Sequence, residues 1–138
     1  FLYFKNLNNF SDIFYIEFSN AIIIYFLAAL PIIGHLFPIW LRFKGGKGVA
    51  TYIGFLLGSN YIFGIIFIFS WLVIASVSKY SSLSSIVSLL IIPLVIVIFF
   101  SFNFQVICLF FAISALIIFK HYSNILRLFN KTESKIRF

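Results

Sequence analysis

The sequence predicts an all-α fold: a polytopic helix bundle embedded in a membrane. Three observations predict it. Of 138 residues, 63% are hydrophobic and only 9% are charged, against roughly 25% charged in an ordinary soluble domain. The mean hydropathy is +1.15. The apolar residues fall in long runs separated by short polar turns. This pattern excludes a disordered chain, a soluble enzyme, and a collagen-like or disulfide-rich domain. A crossing needs about 20 apolar residues, so the length allows roughly four to six of them, joined by short loops in a single membrane domain.

The start, Phe1-Leu2-Tyr3-Phe4, reads as the tail of an apolar segment cut in the middle, and no Met occurs anywhere. The chain is therefore expected to have lost its N-terminus, and a signal peptide is not indicated. Lys5, Asn6, Asn8, Asn9, Ser11, Asp12 and Glu17 make residues 1–19 an expected extracytoplasmic loop, with room for a short interfacial helix. Asn20 to Leu41 has spanning length and is interrupted by Pro31, Gly34, His35 and Pro38; Trp40 suits a membrane interface. Arg42 to Gly48 is a compact basic loop rich in glycine. Val49 to Val77 is apolar with a break at Gly58-Ser59-Asn60, and Lys79 to Ser82 is a polar turn. Leu83 to Phe102, containing Pro93, and Val106 to Phe119 are further spans, separated by the turn Asn103-Phe104-Gln105. Residues 120–138 form a basic tail with an amphipathic start. The 21 Phe decide little, since phenylalanine suits a lipid-facing position and a biased genome could supply the excess.

Charge decides the path of Val49 to Val77. The chain has ten Lys plus Arg against three Asp plus Glu. If this stretch crosses once, the 42–48 loop and the tail fall on opposite membrane faces. If it turns at Gly58-Ser59-Asn60, then Arg42, Lys44, Lys47, Lys79 and the tail share one face, and Lys5 is the basic residue left on the other. The second path obeys the positive-inside rule and makes roughly five crossings. It places 42–48 and 120–138 in the cytoplasm. Each arm is then short for a crossing, which neighbouring helices or a locally thinned bilayer can accommodate. The positive excess is thus a topology signal rather than a sign of nucleic acid binding. Cys108 is the single cysteine, which excludes an internal disulfide and a Cys-based metal cluster.

The sharpest feature is Phe43-Lys44-Gly45-Gly46-Lys47-Gly48-Val49-Ala50-Thr51. Glycines let backbone N–H groups approach a ligand closely. A helix starting near Val49 would aim its free N–H groups and dipole into the loop, and Lys47 adds a full charge. The result is either a cradle for phosphate or carboxylate, or a flexible turn whose lysine anchors the cytoplasmic face. It is not a Walker A loop, because the spacing is absent and Gly48 follows the lysine. His35 lies between two prolines. It is expected to satisfy the Gly34 carbonyl that Pro38 leaves without a donor, or else to support the basic loop from beneath.

In the tail, His121, Asn124 and Leu128 share one helical face, with Arg127 beside it. An amphipathic helix lying on the membrane would account for this spacing, but it gives no reason for the neutral hydrogen-bonding pair His121 and Asn124. Glu133 is the one carboxylate on the basic face, so there is no carboxylate pair for general acid–base work. No metal-ligand spacing is present. Ser82 and Ser85, in the turn Tyr80 to Ile86, reach the same face, and some of these serines are expected to cap a helix starting at Leu83.

Taken together, Gly34-His35-Leu36-Phe37-Pro38 and the loop Phe43 to Thr51 resemble the second motif of the bacterial acyl-phosphate:glycerol-3-phosphate acyltransferases, the PlsY family. His121-x-x-Asn124-Ile125-x-Arg127-Leu128 with Thr132-Glu133 resembles the third motif. Lys79-Tyr80, Ser82-Leu83 and Ser85-Ile86 are similar to the segment between them. The order and spacing hold over nearly the whole chain. Two positions depart from the pattern: Lys131 stands where the family has Gly, and Ser134 where it usually has Pro. The first motif, a Ser/Gly/Asn-rich loop with an essential Ser and Arg, has no match in residues 1–19 and is expected before Phe1.

The resemblance implies a seven-helix fold with its first two helices mostly missing here. It implies transfer of a fatty acyl group from acyl phosphate to the 1-hydroxyl of glycerol 3-phosphate, giving lysophosphatidic acid for phospholipid synthesis in a bacterial cell membrane. No metal or cofactor is implied. The donor's own phosphate assists deprotonation of the hydroxyl, and transient contact with the soluble enzyme that makes acyl phosphate is implied. The roles carried over are phosphate binding for Lys47, substrate binding and positioning for His121 and Asn124, and a hydrogen bond to glycerol phosphate from Ser85 and, less surely, Ser82. Gly45, Gly46 and Gly48 would shape the loop, and His35, Arg127 and Glu133 would be structural. Without the first motif, this chain alone is expected to be inactive.

Two other classes compete. A small transporter or channel for an anionic solute explains the spans, but not the gathering of the basic loop and tail on one face. A haem protein ligated by His35 and His121 would need both at compatible depth.

Overall fold

The computed structural model describes residues 10–100 and 102–136. Among them the structure is helical: α1 Phe10–Leu36, α2 Val49–Ser59, α3 Tyr61–Ser78, α4 Ser81–Phe99, α5 Phe104–Lys120 and α6 Tyr122–Phe129, with a 3₁₀ turn at Ile39–Leu41. Three of the described stretches are long and apolar enough to cross a membrane: Ile22–Leu41, Tyr61–Ser78 and Ser81–Phe99. The pair α5 and α6, bent by 60° at His121, makes a fourth if counted as one span. The molecule is a polytopic membrane helix bundle.

The expected loop over 1–19 is corrected in part. Helix α1 already runs from Phe10, continuous with the first span, and residues 1–9 lie outside the described residues. The short polar side chains of this stretch lower helix propensity by only a few tenths of a kcal/mol each, too little to stop a helix that a long apolar run continues.

The break at Gly58-Ser59-Asn60 does turn the chain back. The rings of Tyr52 and Phe67 are 5.7 Å apart, although a continuous helix would separate these residues by about 22 Å. Asn60 makes the corner: its backbone is extended, and its side chain accepts from the Ile62 N–H at 3.0 Å as the N-cap of α3. The Ser59 hydroxyl folds onto the Phe55 carbonyl at 2.7 Å. Eleven residues give α2 a length of only about 16 Å, about half the hydrocarbon thickness. The hairpin is therefore unequal, and its first arm falls short of the separate crossing counted among the expected five.

The core packs aliphatic side chains such as Ile32, Leu36, Leu89, Ile92 and Ile117 around a buried aromatic cluster. Phe63, Phe67 and Phe110 are fully buried with Tyr52. Phe110 meets Phe55 at 5.3 Å and Phe63 at 6.0 Å. The phenylalanines divide: Phe69, Phe99, Phe104 and Phe119 are exposed, while others form the edge-to-face centre of the bundle. On α4, Ser82, Ser84, Ser85 and Ser88 are buried. Small side chains let helices approach closely, and hydroxyls bond across the gap. Ser70 donates to Ser88 at 2.9 Å, and Trp71 Nε1 donates to Ser85 Oγ at 3.1 Å. Tyr52 and Ser114 join α2 to α5 at 3.2 Å.

Two expected boundaries move. Helix α4 starts at Ser81 rather than Leu83, so Ser82 and Ser85 stand inside its first turns and neither caps it. Helix α5 starts at Phe104, because Asn103 caps it by accepting from the Val106 N–H at 2.9 Å.

Candidate functional site

The amino ends of α2 and α4, the α5–α6 joint and the C-terminal tail surround a cavity of about 880 Å³. Helix α1 ends at Leu36, where Lys120 of α5 ties it down: the ammonium donates to the Leu36 carbonyl at 2.6 Å and lies 4.0 Å from the Phe37 ring centroid. The basic loop then turns back onto this helix end. A Cβ on Gly45 would collide with the His35 carbonyl, and one on Gly46 with the His35 ring. Backbone packing requires glycine at 45, while at 46 the His35 ring would have to move aside; neither glycine lines the cavity. His35 therefore lies against Gly46 and supports the loop, while Pro38 follows α1 instead of interrupting it. The loop ends at Gly48, a left-handed residue (φ 82°) that starts α2 as its N-cap. A Cβ there would stand 2.8 Å from Leu36 Cδ2. Lys47 and Gly48 do line the cavity, beside the free N–H groups of the first turn of α2.

His121 makes the joint between α5 and α6 and is 2% exposed. Its Nδ1 donates to the Ile117 carbonyl at 2.9 Å, which leaves Nε2 of the neutral ring as an acceptor. Asn124, one turn on, is 3% exposed. Its Nδ2 donates to Glu133 Oε1 at 2.7 Å, and its Oδ1 is buried without a partner. A buried orphan acceptor costs roughly 1–3 kcal/mol unless something donates to it.

Glu133 organises this end of the site. Oε1 accepts from Ser82 and from Asn124, and Oε2 from Arg127, each at 2.7 Å. Burial works to raise its carboxyl pKa, but the three hydrogen bonds and the Arg127 charge outweigh it and hold the group down to about 2. The tail reaches Ser82 and Asn124 because α6 closes with a Schellman turn. The Thr132 N–H bonds to the Arg127 carbonyl at 2.8 Å and the Lys131 N–H to the Leu128 carbonyl at 3.1 Å. Lys131 holds the left-handed position of that turn with φ 57°.

All the expected site residues except Gly45 and Gly46 line the one cavity. The sequence reading missed the rest of its wall. Val49, Ala50 and Ile53 of α2 face Ile68, Trp71 and Leu72 of α3 across an apolar side, and Ser134, Lys135 and Ile136 close the tail side. Trp71 carried one usable signal: an indole N–H inside a span needs an acceptor, and Ser85 supplies it. Among the described residues, no three His, Cys, Asp or Glu side chains gather as a metal set. The cavity thus combines a lysine and helix N–H groups for an anion, buried acceptors for hydroxyl groups, and an apolar wall.

A family model described as glycerol-3-phosphate acyltransferase matches residues 6–131. The chain belongs to the glycerol-3-phosphate acyltransferase family. A family protein from Pelagibacter ubique (strain HTCC1062), glycerol-3-phosphate acyltransferase, is 44% identical over 126 residues, covering 91% of this chain and 64% of its own length. The family protein of the same name from Brucella ovis is 49% identical over 105 residues, covering 75% of this chain and 51% of its own. The chain thus spans about half to two thirds of the length of these relatives. Among solved structures it is similar to PlsY, an integral membrane glycerol 3-phosphate acyltransferase, in its glycerol 3-phosphate form. The TM-score is 0.73 at 32% identity, over 77% of this chain and 52% of that one. The lysophosphatidic acid form of PlsY gives a TM-score of 0.74 at 27% identity, over 90% and 70% of the two chains.

Proposed function

We propose that the polypeptide carrying this sequence transfers a fatty acyl group from acyl phosphate to the 1-hydroxyl of glycerol 3-phosphate. The products are lysophosphatidic acid and phosphate, and the chain contributes the glycerol 3-phosphate side of the site. The observation that carries the reading is the orphan Asn124 Oδ1 in a cavity that also holds Lys47 and an apolar wall. A substrate hydroxyl supplies the missing donor. Lys47, with the N–H groups at the start of α2, offsets the cost of holding a phosphate at a low-dielectric boundary. The wall formed by Ile53, Ile68, Trp71 and Leu72 takes the apolar part of the donor or product.

In the step itself, the hydroxyl oxygen attacks the carbonyl carbon of acyl phosphate. The bond from that carbon to the bridging oxygen breaks, phosphate leaves with the electron pair, and the hydroxyl proton ends on the leaving phosphate. His121 and Asn124 orient the hydroxyl. Glu133, already engaged by three donors, holds Asn124 rather than taking the proton. The membrane is the bacterial cell membrane, with the 42–48 loop, the 79–82 turn and the tail on its cytoplasmic side.

The test is phosphate release by the reconstituted protein as a function of both substrates. Release that requires glycerol 3-phosphate and yields lysophosphatidic acid supports the reading. Release that is independent of glycerol 3-phosphate refutes it.

A further inference from the structure

The tail does more than carry Glu133. Beyond that residue it stays on the bundle: the Ile136 N–H donates to the Lys79 carbonyl at 2.7 Å. Lys135 is therefore held between two fixed points, and Ser134, Lys135 and Ile136 all line the cavity. The lining includes three cations, Lys47, Arg127 and Lys135, and one carboxylate, Glu133. Arg127 is paired with that carboxylate, so its charge is compensated. Lys47 and Lys135 have no carboxylate partner among the described residues. The Lys135 ammonium stands 5.7 Å from the centre of the Tyr80 ring, near the outer limit of a cation–π contact, and is free to move toward a stronger partner.

We propose that Lys135 is a second phosphate-contacting residue, and that it and Lys47 together take the phosphate of glycerol 3-phosphate. The proposal rests on the functional reading above and adds a residue to it. A phosphate monoester carries roughly −1.5 to −2 charge at neutral pH. Lys47 alone does not match that charge, and Lys135 adds a second uncompensated cation on the same cavity. The two reach the phosphate from different elements, Lys47 from the loop before α2 and Lys135 from the clamped tail.

The experiment is calorimetric titration of glycerol 3-phosphate into the polypeptide carrying this sequence in nanodiscs, for the wild type, Lys135→Met, Lys135→Arg and Lys131→Met. Lys131 is exposed and does not line the cavity, so it serves as the charge control. Lys135→Met is expected to weaken binding by about tenfold, the size of one lost charge-assisted hydrogen bond. Lys135→Arg should recover most of the affinity and Lys131→Met should match the wild type. Amine labelling of the wild type, read by mass spectrometry, gives a second measurement that needs no variant to fold. Glycerol 3-phosphate should protect Lys135 and leave Lys131 reactive. Equal affinity in Lys135→Met and the wild type, or absence of protection, overturns the role of Lys135 alone. A wild-type polypeptide carrying this sequence with its first motif that binds no glycerol 3-phosphate overturns the functional reading together with it.

Discussion

Replacing Glu133 by Gln tests the centre of the site with the smallest change in shape. The carboxylate accepts three hydrogen bonds, two on Oε1 and one on Oε2. A carboxamide keeps one acceptor oxygen and turns the other position into a donor. With its oxygen toward Ser82 and Asn124, the Gln amide meets the Arg127 guanidinium; flipped, it opposes two donors at once. Arg127 is 46% exposed, so water replaces much of its lost partner, and that pair contributes only about 0–1 kcal/mol. The bonds from Ser82 and Asn124 are buried, and each is weakened by about half when the acceptor loses its charge. The expected loss is about 2 kcal/mol of folding stability, measured by thermal unfolding in detergent. The pH dependence supplies the sharper arm. The Glu133 carboxyl is held at about 2, below its ordinary 4.5. Its contribution is therefore complete above the ordinary value and is lost as pH falls from 4.5 toward 2. The wild type should lose stability across that window, and Glu133→Gln should lack this component. A Gln variant with an unchanged midpoint and the same acid sensitivity would show that the three bonds do not organise the site.

Further substitutions separate the other parts of the site. Lys47→Ala should weaken glycerol 3-phosphate binding by about tenfold or more, while Lys44→Ala, which lies outside the cavity lining, should be mild in the same titration. Asn124→Asp places a second carboxylate beside Glu133 at hydrogen-bonding distance. It should be more damaging to stability than Asn124→Ala at neutral pH, and should recover as pH is lowered and one proton is shared. In a Cys108→Ser background, single cysteines at Lys44 and Ser123 should both resist a membrane-impermeant thiol reagent in intact cells. Labelling of both would invert the topology, and labelling of one would separate the loop from the tail.

How far the sequence could be read differs from residue to residue, for physical reasons. The turn at Asn60 was legible because charge placement is a global constraint that local sequence expresses directly. The Gly48 start of α2 was legible because glycine marks a backbone position. The amino end of α1 was misread because polar residues indicate exposure better than they indicate the end of a helix. Gly45 and Gly46 read as loop glycines that let backbone N–H groups approach a ligand, yet they make room for His35 and the end of α1; the residue type shows that space is needed, not what fills it. The apolar wall with Trp71, and the lining by Lys135, depend on contacts between distant elements. No local pattern encodes them.

The left-handed Lys131 has a consequence for how tightly the tail can be set. A side chain at such a φ costs about 1 kcal/mol relative to its unstrained state, and glycine escapes that cost while losing some chain entropy on folding. The joint therefore acts as an adjusting screw. Glycine at 131 should let the Schellman turn close with less strain, whereas a β-branched residue should hold it ajar. Either change would shift Glu133 and Lys135 together, and with them the grip on Asn124, without altering any side chain that faces the cavity.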